Sequence, residues 1–182
     1  MLLIILIAGC KHGSQSGSGV NHDNEQDDPN NTEPVLYPFD PDYTTPGGIE
    51  VDLNGNSPEP IEGSDEPEFI EGLDEWYAET QQCVANWYAI LYPSINFEFY
   101  DAPPIVISDN PESICGDFDG FVNGFYCANF AIPVMVIRSG PTYQSAGVWK
   151  HETIHHVLYM NDFDQELSLN HQPNEIWDNC VH

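Results

Sequence analysis

Residues 149–160 read WKHETIHHVLYM and contain the motif His-Glu-x-x-His. On an α-helix, residues four apart lie on the same face, so His151 and His155 would point in one direction and could bind one zinc ion through their ring nitrogens. Glu152 lies beside the first of these ligands and could take a proton from a water molecule that the zinc activates. The motif therefore predicts two metal ligands and a general base on a single helix.

The other side of this predicted helix is apolar. Ile154, Val157 and Leu158 recur at helical spacing and would pack into a core, while the histidine pair lies on a different side. His156 is one residue further along, about 100° around the helix from the metal-binding face. We expect its side chain to pack against neighbours or to meet solvent.

A catalytic zinc ion usually has three protein ligands and one open position. The next histidine along the chain is His171, and we predict it as the third ligand. The polar run at 161–166 would end the helix and turn the chain back, and Trp177 would hold the returning segment against the core. Carboxylates also bind zinc, so three further candidates for this position remain open: Asp162, Asp164 and Glu175.

The motif, followed by an acidic turn and then by Asn-His-x-Pro at 170–173, resembles the zincin metallopeptidases. It is most similar to minimal SprT-like domains, and also to small bacterial lipoproteins that carry the motif, a later histidine and a terminal cysteine. The resemblance covers 72–182 and is specific over 149–180. It implies a zincin-like fold, one zinc ion per chain and hydrolysis of bonds in a peptide or protein substrate.

The rest of 72–182 predicts an α+β domain. Apolar residues at helical spacing predict a helix from residue 73 to 91, which ends before Pro93. Short β-type runs predict strands at 95–100, 105–108, 121–127 and 132–138. The predicted order is thus an N-terminal helix, a small twisted sheet, the motif helix and a C-terminal ligand segment.

A peptidase site also needs a strand that binds the substrate and a donor to the oxyanion. In zincins the edge strand of the sheet lines the cleft and can pair with an extended peptide, and 134–137 is the candidate. The alternative is a buried strand with no role in substrate binding. Tyr143 and Tyr159 are both possible donors to an oxyanion, and the sequence does not choose between them.

The N-terminus predicts export. Residues 1–9 are almost wholly apolar but too few to span a bilayer, so they are interpreted as a signal peptide. Residues 7–10 resemble a bacterial lipobox, in which Cys10 is acylated. We therefore expect a protein of the bacterial cell envelope that meets the membrane only through its N-terminal lipid.

Residues 10–71 are rich in glycine and serine at first, and then in acidic residues and proline. Such a composition buries little apolar surface, which predicts a disordered acidic tether between the lipid and the domain. Short apolar patches at 35–37 and 49–51 offer an alternative, in which parts of the tether dock on the domain or cover its cleft.

The net charge is −27, with only three lysine and arginine residues. Binding to nucleic acid through phosphates needs clustered basic residues, so this class of function is excluded. The charge favours solubility and cationic partners.

Without Cys10, four cysteines remain, and an even number in an exported chain predicts two disulfides. Of the three possible pairings we favour Cys115 with Cys127 and Cys83 with Cys180.

A non-enzymatic surface lipoprotein is the alternative function. In it a zincin-like scaffold would bind zinc structurally or bind a partner protein. Glu152 distinguishes the two, because a closed structural zinc site does not need a free carboxylate beside it.

Overall fold

Runs of β-branched residues form the centre of a five-stranded sheet in the computed structural model, which describes residues 36–56, 68–115, 123–140 and 146–182. The strands are β1 (Tyr43–Thr44), β2 (Glu50–Asp52), β3 (Ile105–Ser108), β4 (Gly124–Cys127) and β5 (Val134–Arg138). Their order is β1-β2-β3-β5-β4. The inner strands β2, β3 and β5 are parallel, and β1 and β4 pair with them in the antiparallel direction.

Five helices complete the described fold: α1 (Glu68–Leu91), α2 (Glu112–Cys115), α3 (Ala146–Met160), α4 (Gln165–Leu169) and α5 (Asn174–Cys180). The long helix α1 ends before Pro93, as predicted, because proline disfavours a helical residue before it and cannot donate a backbone hydrogen bond. Helix α3 packs against α1, β4 and α5. The predicted α+β class and the position of the motif helix are therefore confirmed.

Both faces of the central strands are buried. Alternate side chains of β3 and β5 face opposite sides of the sheet, which explains why both segments are apolar without interruption. The face towards α1 and α3 carries Ile105, Ile107, Met135 and Ile137, and the other face carries Val106, Val134 and Val136.

This strand order corrects the prediction for 134–137. Strand β5 lies between β3 and β4 and pairs with both, so it is not an edge strand. It fits the alternative of a buried strand without a substrate role. Within the described residues, the edge next to α3 is β4.

The prediction of a disordered tether over 10–71 is wrong for residues 36–56. Strand β2 pairs with β3 and extends the sheet, so the compact unit includes residues 36–56 and does not begin at the predicted boundary of 72. Three side chains of this segment lie in the core: Ile49, Val51 and Leu53. The docking of 49–51 that composition offered as an alternative is therefore confirmed.

Acidic residues in this segment stabilise the fold instead of keeping it solvated. The Asp42 carboxylate accepts a hydrogen bond from the backbone N–H of Leu53 at 2.8 Å, and Asp52 accepts one from Asn54 at 2.7 Å. In α1, Asp74 accepts one from the N–H of Gly47 at 2.7 Å. Carboxylates that satisfy backbone donors are compatible with order, so a count of acidic residues overestimated the disorder.

The predicted strand at 95–100 joins no strand ladder. Side-chain amides of the helices bind its backbone instead. Gln81 accepts from the N–H of Tyr100 at 2.7 Å and donates to its carbonyl at 3.2 Å. Asn161 makes the same pair of bonds with Glu98, at 2.8 Å and 3.1 Å.

Both predicted cysteine pairs lie at disulfide distance. Cys83 and Cys180 join α1 to α5 with Cα atoms 5.7 Å apart, and Cys115 and Cys127 join α2 to β4 with Cα atoms 5.4 Å apart. Such cross-links typically add about 2–4 kcal/mol to the stability of a small domain.

Several predictions lie outside the described residues: the signal peptide at 1–9, the lipidated Cys10 and the donor Tyr143. Among the described helices, none combines the length and the apolar character that crossing a bilayer requires.

Candidate metal centre

Three histidines converge on one face of the motif helix, near its middle. His151 and His155 lie one turn apart on α3, and His171 follows α4. One ring nitrogen from each can be chosen so that all three lie within 4.8 Å of one another. The nitrogens of a tetrahedral zinc site lie about 3.3 Å apart when each bond is 2.0–2.1 Å, so small side-chain rotations suffice to bind an ion. The predicted group of three ligands is therefore brought together, and it could hold a metal ion.

The backbone at His171 has an unusual conformation. Its φ angle is 54°, in the left-handed region that glycine normally occupies. Helix α4 ends there with two backbone bonds, from His171 N–H to the Ser168 carbonyl at 2.9 Å and from Gln172 N–H to the Leu167 carbonyl at 2.8 Å. This is a Schellman motif with His171 at the position where glycine is usual. This unfavourable backbone conformation positions the imidazole of His171 beside those of His151 and His155.

Trp177 packs against all three imidazoles. Its ring centroid lies 5.0 Å from that of His151 and 4.6 Å from those of His155 and His171. The side chain is 7% exposed and belongs to the core that α1, α3 and α5 share. The predicted role of Trp177 in holding the returning segment is confirmed.

A serine that sequence reasoning missed contacts one of the candidate ligands. The hydroxyl of Ser168 lies 3.1 Å from Nδ1 of His155, and Ser168 is buried. When Nδ1–H donates to this hydroxyl, Nε2 keeps its lone pair for a metal ion. The sequence gives no local signal for this contact, because it depends on how α4 turns back towards α3.

Burial keeps two of the histidines neutral. It lowers the pKa of His151 to about 4, with a smaller contribution from His171. It lowers the pKa of His155 to about 3, with smaller contributions from both neighbouring histidines. A metal ligand must be deprotonated, so both rings are in the required form at neutral pH.

The carboxylates that were alternatives for the third ligand are not part of this group. Among the described residues, the three histidines are the group that could hold a metal ion. Asp164 instead caps α4, where it accepts hydrogen bonds from the N–H groups of Glu166 at 2.9 Å and Leu167 at 3.2 Å.

Glu152 lies beside this group and is almost completely enclosed. It is 5% exposed, and burial raises the pKa of its carboxyl to about 8, although a hydrogen bond from the backbone N–H of Tyr126 acts in the opposite direction. A positive ion at the histidines would favour its ionised form. The protonation state of Glu152 would thus respond to the charge at the histidines. The ionised form, which a positive ion there favours, is the form that can act as a general base.

Strand β4 forms the wall against which Glu152 packs. A Cβ atom on Gly124 would lie 3.0 Å from both Cγ and Oε1 of Glu152, so the absence of a side chain at residue 124 makes room for the carboxylate. Neither Gly124 nor Tyr126 was singled out from the sequence, because their importance depends on β4 being the edge strand.

The edge of β4 faces the cleft with a defined set of backbone groups. The carbonyl of Asn123 accepts from the N–H of Arg138 at 2.9 Å, so the backbone of Asn123 points to β5. Backbone groups alternate along an antiparallel strand, and those of Gly124 and Tyr126 therefore point away from β5. The cleft has a volume of about 310 Å³ and is lined by Gly124 and Tyr126, by Glu152 and the three clustered histidines, and by largely apolar side chains: Phe125, Ala128, Tyr159, Phe163 and Leu169.

No protein-family model matches the chain, and no curated protein or solved structure matches it either. The resemblance to zincins therefore stays a prediction from the sequence motif.

Proposed function

We propose that this chain is a zinc-dependent peptidase with one zinc ion at His151, His155 and His171. The observation that carries the proposal is the convergence of three ring nitrogens within 4.8 Å beside the enclosed carboxylate of Glu152. Three imidazoles are a donor set that zinc prefers, and they leave a fourth position for reaction. A structural site would instead be closed by a fourth protein ligand.

In the proposed mechanism a zinc ion held by His151, His155 and His171 would supply Lewis acidity, which would polarise the peptide carbonyl and activate water. Glu152 accepts the proton from the attacking water and passes it to the leaving amine. Ser168 keeps His155 in the tautomer that binds metal. Of the two tyrosines predicted as donors to the oxyanion, Tyr159 lies within the described residues. It lines the cleft one turn after His155 on α3 and is proposed to stabilise the oxyanion.

The proposed substrate is an extended peptide that lies along the edge of β4. The outward-facing backbone groups of Gly124 and the carbonyl of Tyr126 are available for pairing with such a peptide, while the N–H of Tyr126 donates to Glu152. The apolar lining of the cleft favours an aliphatic or aromatic side chain next to the cleaved bond.

The proposed location is the bacterial cell envelope, with export directed by residues 1–9 and lipid attached at Cys10. Two cysteine pairs at disulfide distance support an oxidising compartment.

Glu152→Gln tests the proposal against metal binding without turnover. We expect the variant to keep zinc and its fold while losing at least 100-fold in kcat, because the amide cannot accept the proton. The matched control is Glu175→Gln on the exposed surface of α5, which should leave zinc content and hydrolysis unchanged. Full activity in Glu152→Gln would contradict the mechanism, and a wild-type protein that binds zinc but hydrolyses no peptide would favour a binding module.

A further inference from the structure

His156 is buried next to the metal ligands but does not belong to their group. It is 3% exposed and lies on the side of α3 that faces α1 and β4. Nε2 lies 3.3 Å from the carbonyl oxygen of Asp101, and Nδ1 lies 3.2 Å from the hydroxyl of Tyr126. Both ring nitrogens therefore have a partner within the protein.

These two partners determine the tautomer of His156. A carbonyl oxygen can only accept, so Nε2 carries the hydrogen and donates it to Asp101. In the neutral ring Nδ1 is then an acceptor, and the hydroxyl of Tyr126 donates to it. The ring of Tyr126 is held between His156 and Tyr159, with centroid distances of 5.2 Å and 5.6 Å.

Tyr126 continues this chain of contacts to the carboxylate. Its backbone N–H donates to Glu152, and Gly124, two residues earlier on the same strand, packs against the Glu152 side chain. Strand β4 has one neighbouring strand, β5, within the described sheet. The side chain of Tyr126 therefore links the edge of the sheet to α3, the helix that carries Glu152.

We propose that His156 is a positioning residue that holds β4 against α3 through Tyr126 and thereby fixes the Glu152 carboxylate. This inference rests on the proposed role of Glu152 as the general base. A displacement of about 1 Å at a reacting group can cost 100-fold in rate, so loosening of β4 should lower kcat without removing the metal ligands.

Two substitutions separate the hydrogen bonds of His156. In His156→Asn the side-chain oxygen occupies the position of Nδ1 and still accepts from Tyr126. In His156→Gln the side-chain nitrogen reaches the position of Nε2 and still donates to Asp101. Tyr126→Phe removes the hydroxyl and keeps the ring and the backbone N–H. Its control is Tyr100→Phe, which removes the hydroxyl that donates to Glu98 on the exposed surface.

The experiment uses the full chain loaded with zinc and measures kcat, KM and zinc content with a peptide substrate. In parallel, NMR measures the hydrogen exchange rate of the Tyr126 amide, which reports on its bond to Glu152 without reference to activity. We expect His156→Gln and Tyr126→Phe to raise this exchange rate and to lower kcat by at least tenfold, with KM and zinc content within twofold of the wild type. His156→Asn should restore both values to near those of the wild type.

Wild-type exchange and kcat in both His156→Gln and Tyr126→Phe would overturn the inference. Equal damage in His156→Asn and His156→Gln, together with a parallel loss of zinc, would show a purely structural role and would also overturn it. Failure of the proposed function has a different signature, namely a wild-type protein without zinc-dependent hydrolysis. In that case the amide exchange of the variants still decides whether His156 holds Tyr126 against Glu152.

Discussion

Replacing His171 with glycine should give a more stable metal-free protein than replacing it with alanine. The φ angle of 54° at this residue costs a residue with a side chain about 1–2 kcal/mol relative to the right-handed region. Glycine avoids this cost but loses about 0.5–1 kcal/mol through its greater freedom in the unfolded chain. Both variants lack the imidazole, so other contributions cancel and the two costs together should favour His171→Gly over His171→Ala by about 0.5–1 kcal/mol.

Denaturant unfolding of the two metal-free variants measures this difference, and a thermal midpoint about 3 °C higher for His171→Gly is the corresponding expectation. Zinc at 100 times its dissociation constant should stabilise the wild type by about 2.7 kcal/mol and neither variant. An alanine variant as stable as the glycine variant would refute the argument from the left-handed conformation.

Two other substitutions test the surroundings of the site. Ser168→Ala should weaken zinc binding roughly 10–100-fold in a chelator competition, because the hydroxyl orients His155, and an unchanged affinity would contradict that role. Gly124→Ala should keep zinc but lower kcat several-fold in steady-state kinetics, because the new Cβ would lie 3.0 Å from the Glu152 side chain and displace it. Gly147→Ala, where a Cβ meets no atom within 4 Å, is the control and should retain wild-type kcat.

The elements that could be predicted from the sequence are those whose buried apolar residues recur at a regular spacing within one segment. The apolar stripe of α1, the motif helix α3 and the uninterrupted apolar runs of β3 and β5 each show in the sequence which side is buried. His171 was also predictable, because few histidines follow the motif and because the polar run at 161–166 returns the chain towards α3.

Features that depend on pairing between distant segments were not predictable. The apolar run at 134–137 reads equally well as an edge strand or a central strand, and only its pairing with β3 and β4 decides. Residues 36–56 belong to a stretch rich in acidic residues and proline, but Val51 is fully buried, and Asp42 and Asp52 bind backbone N–H groups. Amino-acid composition does not record such individual contacts. A short segment that joins an existing sheet can therefore have the same composition as a disordered segment.

The contacts around Glu152 were hidden for the same reason. Tyr126 and Gly124 lie on β4, and the place of β4 at the edge of the sheet is given by the strand order, which the sequence does not show. His156 was expected to pack or to meet solvent, and the structure shows that it packs, with Tyr126 and Asp101 as its hydrogen-bond partners.

The most direct test of a three-histidine zinc site is the zinc content of the purified protein, measured for the wild type beside His171→Gly. We predict one zinc ion per chain in the wild type and much less in the variant, although the variant relieves the left-handed strain at residue 171. Because that loss would occur in a folded chain, it would identify His171 as a ligand. No bound zinc in the wild type at neutral pH, or equal zinc in both proteins, would contradict the account.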